Sequence, residues 1–151
     1  HMSATFAEQL PLVIVRPFNY TGPGHDERFV IPKLVAHFAR RAPAIELGNL
    51  AVEREFNNVR TVCETYLRLL KLGVPGQLYN VCSGQPVSLQ VVIDELKQIT
   101  GHDLAVRVNP AFVRANEVHR LCGSPAKLEA CIGSLQHPPL DMTLRWMLAE
   151  V

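Results

Sequence analysis

A run of leucine and β-branched side chains, Leu12 to Val15, constrains the fold of this chain more than any other feature. The run is closed by Arg16-Pro17, and it predicts a strand over residues 10–18 that is buried on both faces, as in a parallel sheet. The residues from Asn19 to Gly24 are turn formers that cannot extend a sheet. In parallel α/β sheets ligands bind at the loops after strands, so this loop is the first candidate for a binding site.

Helical periodicity recurs five times after that loop. The apolar spacing predicts helices over 31–42, 61–73, 88–101 and 125–131, and a last one that is capped by Asp141. Thr61 and Glu64 are typical of a capping box, and Ser88 and Gly101 are typical of an N-cap and a helix stop. The residues expected to be buried in the second helix are Val62, Tyr66, Leu69 and Leu70, and those on the last helix are Leu144, Met147 and Leu148.

Short apolar segments between these helices predict further strands. They cover residues 44–47, 54–56, 77–82 and 104–108, and Gly48-Asn49 marks a turn between the first two. Strands that alternate with helices indicate a mixed α/β architecture rather than an all-helical or all-β one.

Composition excludes several functional classes. The chain has 151 residues, 48% of them apolar and 19% charged, which fits a single globular domain with a real core. Fifteen basic residues nearly balance 14 acidic ones, so we expect no binding to nucleic acid or to a membrane surface. No apolar stretch approaches the roughly 20 residues of a membrane span, and we expect a cytoplasmic location. His1 and Met2 are typical of an expression-tag remnant.

The four cysteines show no paired spacing. Cys63, Cys82, Cys122 and Cys131 lie far apart, which argues against both a zinc ribbon and a disulfide scaffold. We expect reduced, mostly buried thiols. A set of His119, Cys122, Cys131 and His137 matches no metal-binding pattern, so we expect no metal site.

Without reference to any family, the most noticeable candidates for a binding function are arginines that lie beside turn residues. Arg16, Arg54 and Arg114 each lie close to a predicted turn or to a carboxylate. A guanidinium group binds phosphate in a bidentate manner, so such a set would suit a diphosphate. The alternative is that each is an ordinary solvated surface charge.

Six motifs occur in a fixed order along the chain. They are Val13 to Gly24, Phe29-Val30-Ile31-Pro32-Lys33, Gly48-Asn49-Leu50 with Arg54-Glu55-Phe56, Tyr79-Asn80-Val81 with Ser83-Gly84, Arg114 to Val118, and Thr143-Leu144. In this order they resemble the second half of nucleotide-sugar epimerases, dehydratases and reductases of the extended short-chain dehydrogenase class. Gly48-Asn49-Leu50 with Arg54, and Arg114 with Glu117, are most similar to the branch that acts on GDP-mannose derivatives, the 4,6-dehydratase and the reductase. The Arg-Pro-Phe-Asn loop favours the reductase.

The resemblance implies an α/β fold that corresponds to the C-terminal half of a Rossmann-type extended short-chain dehydrogenase. Such a half contains the last sheet strand and a small mixed α/β substrate domain. After the tag remnant at residues 1–2, we expect residues 3–25 to form the end of the Rossmann domain and residues 26–151 to form the substrate-binding subdomain.

The resemblance also implies roles for particular residues. Pro17, Phe18 and Asn19 would lie at the nicotinamide end of the cofactor, with Asn19 also on the sugar nucleotide. The nucleotide sugar would be bound by Asn19, Phe29, Val30, Lys33, Arg54, Arg114 and Glu117. Structural alternatives remain: Asn19 as the cap of its own turn, Lys33 as solvated helix surface, and Arg114 with Glu117 as a local ion pair.

The family's glycine-rich cofactor turn and its catalytic Tyr-Lys pair do not occur in this sequence, so we expect no catalytic residue in this chain. The resemblance implies NADP or NAD, bound mainly by a preceding half, and a GDP-linked sugar as the partner. The open edge of the first strand predicts association, as a homo-oligomer or through that edge. The alternatives are a non-catalytic binding or interaction module and the substrate domain of another epimerase or dehydratase.

Overall fold

A computed structural model describes residues 5–6, 9–113 and 116–151 of the chain. The tag remnant predicted at residues 1–2 lies outside the described residues. Within the described residues, the strands are Ile14–Pro17 (β1), Tyr20–Thr21 (β2), Ala44–Leu47 (β3), Glu53–Arg54 (β4), Asn57–Asn58 (β5), Leu78–Val81 (β6), Val87–Ser88 (β7), Ala105–Val108 (β8) and Arg120–Leu121 (β9). The main helices are Val30–Ala39 (α1), Val59–Leu72 (α2), Leu89–Thr100 (α3), Ala126–Ile132 (α4) and Leu140–Ala149 (α5), and a 3₁₀ turn spans Pro110–Phe112.

The first strand is parallel, as predicted, but shorter than predicted. β1 pairs with β6, and the register places Ile14 opposite Leu78 and Pro17 opposite Val81. The strand begins only at Ile14, and the chain turns further upstream, where the amides of Gln9 and Leu10 both donate to the Phe6 carbonyl. Among the described residues only β6 pairs with β1, and Ile14 and Val15 are therefore half-buried rather than buried on both faces.

Three further small sheets organise the rest of the chain. β3 pairs with β8 in parallel, β2 pairs with β5 in parallel, and β4 lies between antiparallel β7 and parallel β9. The segment 53–58 thus joins two sheets through two consecutive short strands. Because β2 follows β1 directly, this segment also borders the loop after the first strand.

The cap predicted for α3 is confirmed, whereas that predicted for α2 is wrong. Ser88 Oγ accepts from the Val91 amide, and Gly101 ends α3 in the left-handed conformation that glycine favours. In α2 the cap is Asn58, whose side chain accepts from the Arg60 amide. The helix starts before Thr61, so the Thr61 hydroxyl bonds instead to the Gln136 carbonyl.

The last helix also starts before its predicted cap. Pro139 is the N-cap of α5, and Asp141 lies in the first turn, where its carboxylate is 3.6 Å from Arg145 Nε. A proline fits there because the first helical amides have no intrahelical acceptor. Leu144 and Met147 are buried, and Leu148 packs against them at the edge of the core.

Two apolar clusters hold the chain together. The larger is built from α1, α3 and α5 with β3, around fully buried Leu34, Val92 and Leu96. The smaller joins β1, α2, β6 and α4 through Leu69, Tyr79 and Leu128. The second cluster shows that residues well beyond position 25 pack with the first strand.

Helix α2 buries less of its apolar surface than predicted. Val62 and Leu69 are buried, but Tyr66 is 37% exposed and Leu70 is 83% exposed. The expectation that the thiols are mostly buried is also wrong, since Cys63 and Cys122 are exposed and only Cys82 is buried. Across the described part of the chain, no helix has the length and apolarity needed to cross a bilayer.

Candidate functional site

The loop after β1 forms one wall of a cavity of about 340 Å³. Pro17, Phe18 and Asn19 contribute this wall, and Phe29 and Val30 contribute part of the opposite one. We call this space the strand-end cavity, because it lies at the carboxyl end of β1. The structure therefore brings five of the predicted site residues together around a single space.

Aromatic rings cover the strand-end cavity. The ring of His25 lies 6.3 Å from Tyr20 in a stacked arrangement and 4.4 Å from Phe29 in a tilted one. These rings and the apolar side chains beside them suit a ligand with a flat or apolar face, and Asn19 supplies hydrogen-bonding groups.

Helix α1 begins at the rim of the strand-end cavity without a side-chain cap. Its N-cap residue is Phe29, whose side chain forms no capping hydrogen bond, and its first turn carries no acidic residue. The first amides of a helix lack internal acceptors and carry the positive end of the helix dipole. This terminus can therefore receive an anionic group.

A second cavity, of about 530 Å³, lies on the other side of the start of α1. We call it the helix-side cavity; Arg28, Val30, Lys33, Gly48, Phe112 and Val113 are among its lining residues. Lys33 Nζ donates to the Glu46 carbonyl at 3.0 Å and lies 5.7 Å from the centre of the Phe112 ring. Val30 lines both cavities, so the two spaces lie on either side of this residue at the uncapped helix terminus.

Gly48 permits the close approach that forms this second space. A Cβ atom at position 48 would lie 2.7 Å from the Phe112 carbonyl oxygen, which no real side chain allows. The glycine of the predicted Gly48-Asn49 turn thus brings the loop around Phe112 against β3. Phe112 and Val113 were not predicted as site residues.

Two of the remaining predicted residues lie beside this loop. The guanidinium of Arg54 donates to the carbonyls of Glu53 and His119, at 2.8 Å and 3.3 Å. Glu117 is half-buried, and among the described residues no hydrogen-bond donor reaches its Oε2. Arg114 lies outside the described residues. The structure therefore places Arg54 and Glu117 near the loop that carries Phe112 without showing either in a cavity.

Two buried residues of the segment 53–58 hold the loops at the strand ends. The backbone amide and the side-chain Nδ2 of Asn57 both donate to the Asn19 carbonyl, at 2.9 Å and 3.0 Å. Glu55 is 1% exposed, and its carboxylate accepts from the amides of Ser83, Gly84 and Gly123. Neither role was predicted, because local sequence patterns do not report contacts between distant segments.

The thiol of Cys82 lies close to this network and to the cavity wall. Burial, and then the negative charge of Glu55, raise the pKa of Cys82 to about 11. The side chain is therefore a neutral packing group at neutral pH. Among the described residues, no three His, Cys, Asp or Glu side chains group as metal ligands.

Comparison with known proteins places this arrangement in a family. The family model described as GDP-mannose 4,6 dehydratase matches residues 2–145, which is almost the whole chain. The chain belongs to the GDP-mannose 4,6-dehydratase family. The resemblance inferred from the ordered motifs is thereby confirmed.

One curated relative of this chain is GDP-6-deoxy-D-mannose reductase from Pseudomonas aeruginosa. The two are 35% identical over 144 residues, which cover 92% of this chain and 47% of the relative. The chain spans about half the length of the curated relatives it matches.

Solved structures agree with the fold. A crystal structure from Burkholderia cenocepacia, of a protein assigned as an epimerase, matches with a TM-score of 0.94 at 48% identity, over 97% of this chain and 48% of that one. RMD from Pseudomonas aeruginosa, solved in complex with NADPH, matches with a TM-score of 0.91 at 31% identity, over 99% and 52%. The predicted α/β fold, half of a Rossmann-type epimerase/dehydratase, is confirmed.

Proposed function

We propose that this chain is the nucleotide-sugar-binding part of an NAD(P)-dependent oxidoreductase that reduces GDP-4-keto-6-deoxymannose to GDP-6-deoxymannose (GDP-rhamnose). One observation supports the proposal most strongly: two cavities flank the uncapped start of α1, and Val30 lines both. A nucleotide sugar needs this layout, because its diphosphate separates a base from a sugar. The family model and the P. aeruginosa relative both carry GDP-linked names.

The diphosphate would lie at the start of α1. The amides of Val30 and Ile31 would face it at the positive end of the dipole, since Pro32 has no N–H, and no acidic side chain in the first turn opposes an anion. Lys33 adds a positive charge on the side of the helix-side cavity. Arg54, on β4, and Arg114, two positions after Phe112 in the sequence, would complete the charge balance.

The guanosine would occupy the helix-side cavity. The ring of Phe112 is 52% exposed there and offers an apolar face to a base, while Lys33 lies over the same ring. Glu117 would accept hydrogen bonds from ribose hydroxyls, because a carboxylate has only acceptors to offer a diol. Phe29 and Val30 separate this region from the sugar.

The sugar and the nicotinamide would share the strand-end cavity. Pro17 and Phe18 provide a flat apolar wall that fits a nicotinamide ring, and Asn19 provides the polar group beside it. The cofactor, NADP or NAD, would supply the hydride for the 4-keto carbon. The residues of this chain would orient the sugar and exclude water from its reacting face.

The fragment would not catalyse this reaction alone. A preceding half would bind most of the cofactor and would contain the glycine-rich turn and the Tyr-Lys pair. The P. aeruginosa relative is long enough to contain such a half. We propose that residues 3–25 end the Rossmann domain and that 26–151 form the substrate subdomain. The smaller apolar cluster packs α2, β6 and α4 of the subdomain against β1 of the Rossmann end.

An absorbance assay of NADPH oxidation tests this proposal. With GDP-4-keto-6-deoxymannose as substrate, the chain alone should leave NADPH unconsumed, and the chain joined to its preceding half should oxidise it. A UDP-linked 4-keto sugar serves as the control for the base. Turnover by the chain alone would contradict the inactive fragment, and no turnover by the joined protein would contradict the reductase. Reading the coding sequence upstream for the glycine-rich turn and the Tyr-Lys pair separates the enzyme from a binding module.

A further inference from the structure

Glu55 is a buried carboxylate at the end of β4 with an unusually complete set of donors. Its Oε2 accepts from the Ser83 amide at 2.6 Å, from the Ser83 hydroxyl at 3.0 Å and from the Gly84 amide at 3.1 Å. Its Oε1 accepts from the Gly123 amide at 2.6 Å. Burying a carboxylate costs free energy unless its oxygens accept hydrogen bonds, and these donors offset that cost.

The donors come from two loops that are distant in sequence. Ser83 and Gly84 follow β6, and Gly123 follows β9. Each loop leaves the carboxyl end of its strand. One side chain therefore joins the exit of β4 to the exits of two other strands.

Gly123 carries this constraint to the strand-end cavity. A Cβ atom at position 123 would lie 2.7 Å from Cζ of Phe18 and 2.7 Å from Sγ of Cys82, so the glycine backbone packs directly under the Phe18 ring. The Phe18 amide also donates to the Val81 carbonyl, at the end of β6. Phe18 thus contacts Gly123 and Val81, and both of these lie in or next to the two loops that donate to Glu55.

We infer that Glu55 is a positioning residue, which fixes the Phe18 wall of the strand-end cavity through Gly123 and the loop after β6. The inference rests on the proposed function for the use of that wall, which would face the sugar and the nicotinamide. Two residues further along, Asn57 fixes the neighbouring Asn19 carbonyl in the same way. Residues 53–58 thus fix the positions of two consecutive residues of the cavity wall, Phe18 and Asn19.

Glu55→Gln is the sharpest variant, because it preserves shape and changes one contact. The remaining amide oxygen can still accept from Ser83 and Gly84, but the new NH₂ group would face the Gly123 amide, donor against donor. Gly123 should then move away, and the Phe18 ring above it should shift. Glu53→Gln is the matched control, since Glu53 is two residues away and its side chain, among the described residues, contacts Arg120 in a surface ion pair.

Amide and aromatic NMR spectra of the 151-residue chain, recorded without ligand, test the inference. Glu55→Gln should move the Gly123 amide proton upfield, remove its protection from hydrogen exchange and shift the Phe18 ring resonances. Resonances of Val92 and Leu96 in the larger cluster should stay in place, which a general loss of stability would not allow. Unchanged Phe18 resonances in a folded Glu55→Gln protein would overturn the inference.

The unsubstituted chain provides a second measurement if Glu55→Gln does not fold. The Ser83 and Gly123 amides should resonate downfield and exchange slowly, because each donates to a carboxylate oxygen at 2.6 Å. Fast exchange at both amides would overturn the inference.

Titration of the same samples with GDP-mannose separates this inference from the proposed function. Binding that is weaker in Glu55→Gln and unchanged in Glu53→Gln is the expected result. Absence of binding by the unsubstituted chain would count against the proposed function, while the ligand-free spectra still decide the role of Glu55. Equal affinity of all three proteins would contradict the positioning role.

Discussion

At the scale of single residues, Asn58 combines two functions that sequence patterns assign to separate positions. Its Oδ1 caps α2 by accepting from the Arg60 amide, and its Nδ2 donates to the hydroxyl of buried Thr143 at 3.0 Å. The residue therefore ties the start of α2 to α5, across the two apolar clusters.

We expect Asn58→Ala to lower the free energy of unfolding by about 2 kcal/mol, about 1 for the lost cap and about 1 for the unpaired Thr143 hydroxyl. Ser88→Ala removes a cap alone and should cost only about 1 kcal/mol. Urea denaturation followed by circular dichroism measures both. Equal losses in the two variants would show that the bond to Thr143 contributes nothing.

Cys82 should be the least reactive thiol of the chain. Its pKa is raised to about 11 by burial and by the charge of Glu55, whereas Cys63 and Cys122 are exposed. At pH 8, iodoacetamide followed by mass spectrometry should label Cys63 and Cys122 first and Cys82 only after unfolding. Early labelling of Cys82 would contradict its burial beneath Phe18.

The same shift predicts a loss of stability in alkaline solution. Between pH 9.0, the ordinary pKa of a thiol, and about 11, the unfolded chain loses the Cys82 proton while the folded chain keeps it. Since the folded state then binds more protons, the free energy of unfolding falls as pH rises through this range. Urea denaturation at a series of pH values should show a shallower decline for Cys82→Ala, and equal slopes would contradict the shift.

The motifs that carry the family resemblance marked several residues that lie at the cavities, whereas contacts between distant segments were not predicted. Phe18, Asn19, Val30 and Lys33 lie in continuous motifs, and the structure places all four around the two cavities. Phe112 enters the helix-side cavity only because Gly48 lets a loop some sixty positions later approach β3. No local periodicity contains that information.

At the scale of elements, helix α2 has two apolar faces, of which this chain buries one. Leu69 is 4% exposed within the smaller cluster, whereas its neighbour Leu70 is 83% exposed. Tyr66, Leu67 and Leu70 lie at helical spacing on the exposed face. The apolar periodicity marked α2 correctly as a helix but did not show which face packs within the chain.

The neighbouring leucines provide a matched pair. Leu69→Ala should lower the free energy of unfolding by about 2–5 kcal/mol, because it removes a core side chain and leaves a cavity. Leu70→Ala should change it by no more than about 0.5 kcal/mol. Urea denaturation of both variants decides the matter, and a large cost for Leu70→Ala would mean that its face is covered in solution.

Element types were easier to predict than element ends. The helices and the parallel strand β1 follow from hydrophobic periodicity, and Gly101 and Gly73 end their helices where expected. The starts of α2 and α5 were misplaced, because the Asn58 side chain caps α2 before Thr61 and α5 begins directly after Pro139. The Thr61 hydroxyl donates to the Gln136 carbonyl instead of capping the helix.

For the molecule as a whole, the chain exposes both an apolar helix face and an open strand edge. The exposed face of α2 includes Leu67 at 62% and Leu70 at 83%, and among the described residues β1 pairs only with β6. Exposed apolar faces and strand edges promote association. This surface supports the prediction that the chain self-associates.

We expect concentration-dependent association in sedimentation velocity and binding of an apolar dye. The double substitution Leu67→Lys with Leu70→Lys should shift the chain towards the monomer and weaken dye binding, because two charges replace the exposed apolar contacts. Leu72→Lys is the matched control from outside this face. A clean monomer without dye binding, before any substitution, would contradict the prediction.

If the two cavities at the start of α1 bind a GDP-linked sugar, isothermal titration calorimetry of the chain with GDP-mannose and UDP-glucose should show binding that is selective for GDP-mannose. Lys33→Ala should weaken it by about tenfold, the equivalent of one charge-assisted hydrogen bond, while Lys71→Ala on the surface of α2 should not. Binding of UDP-glucose with equal or higher affinity, or GDP-mannose affinity that is unchanged in Lys33→Ala, would contradict a GDP-sugar site at the two cavities.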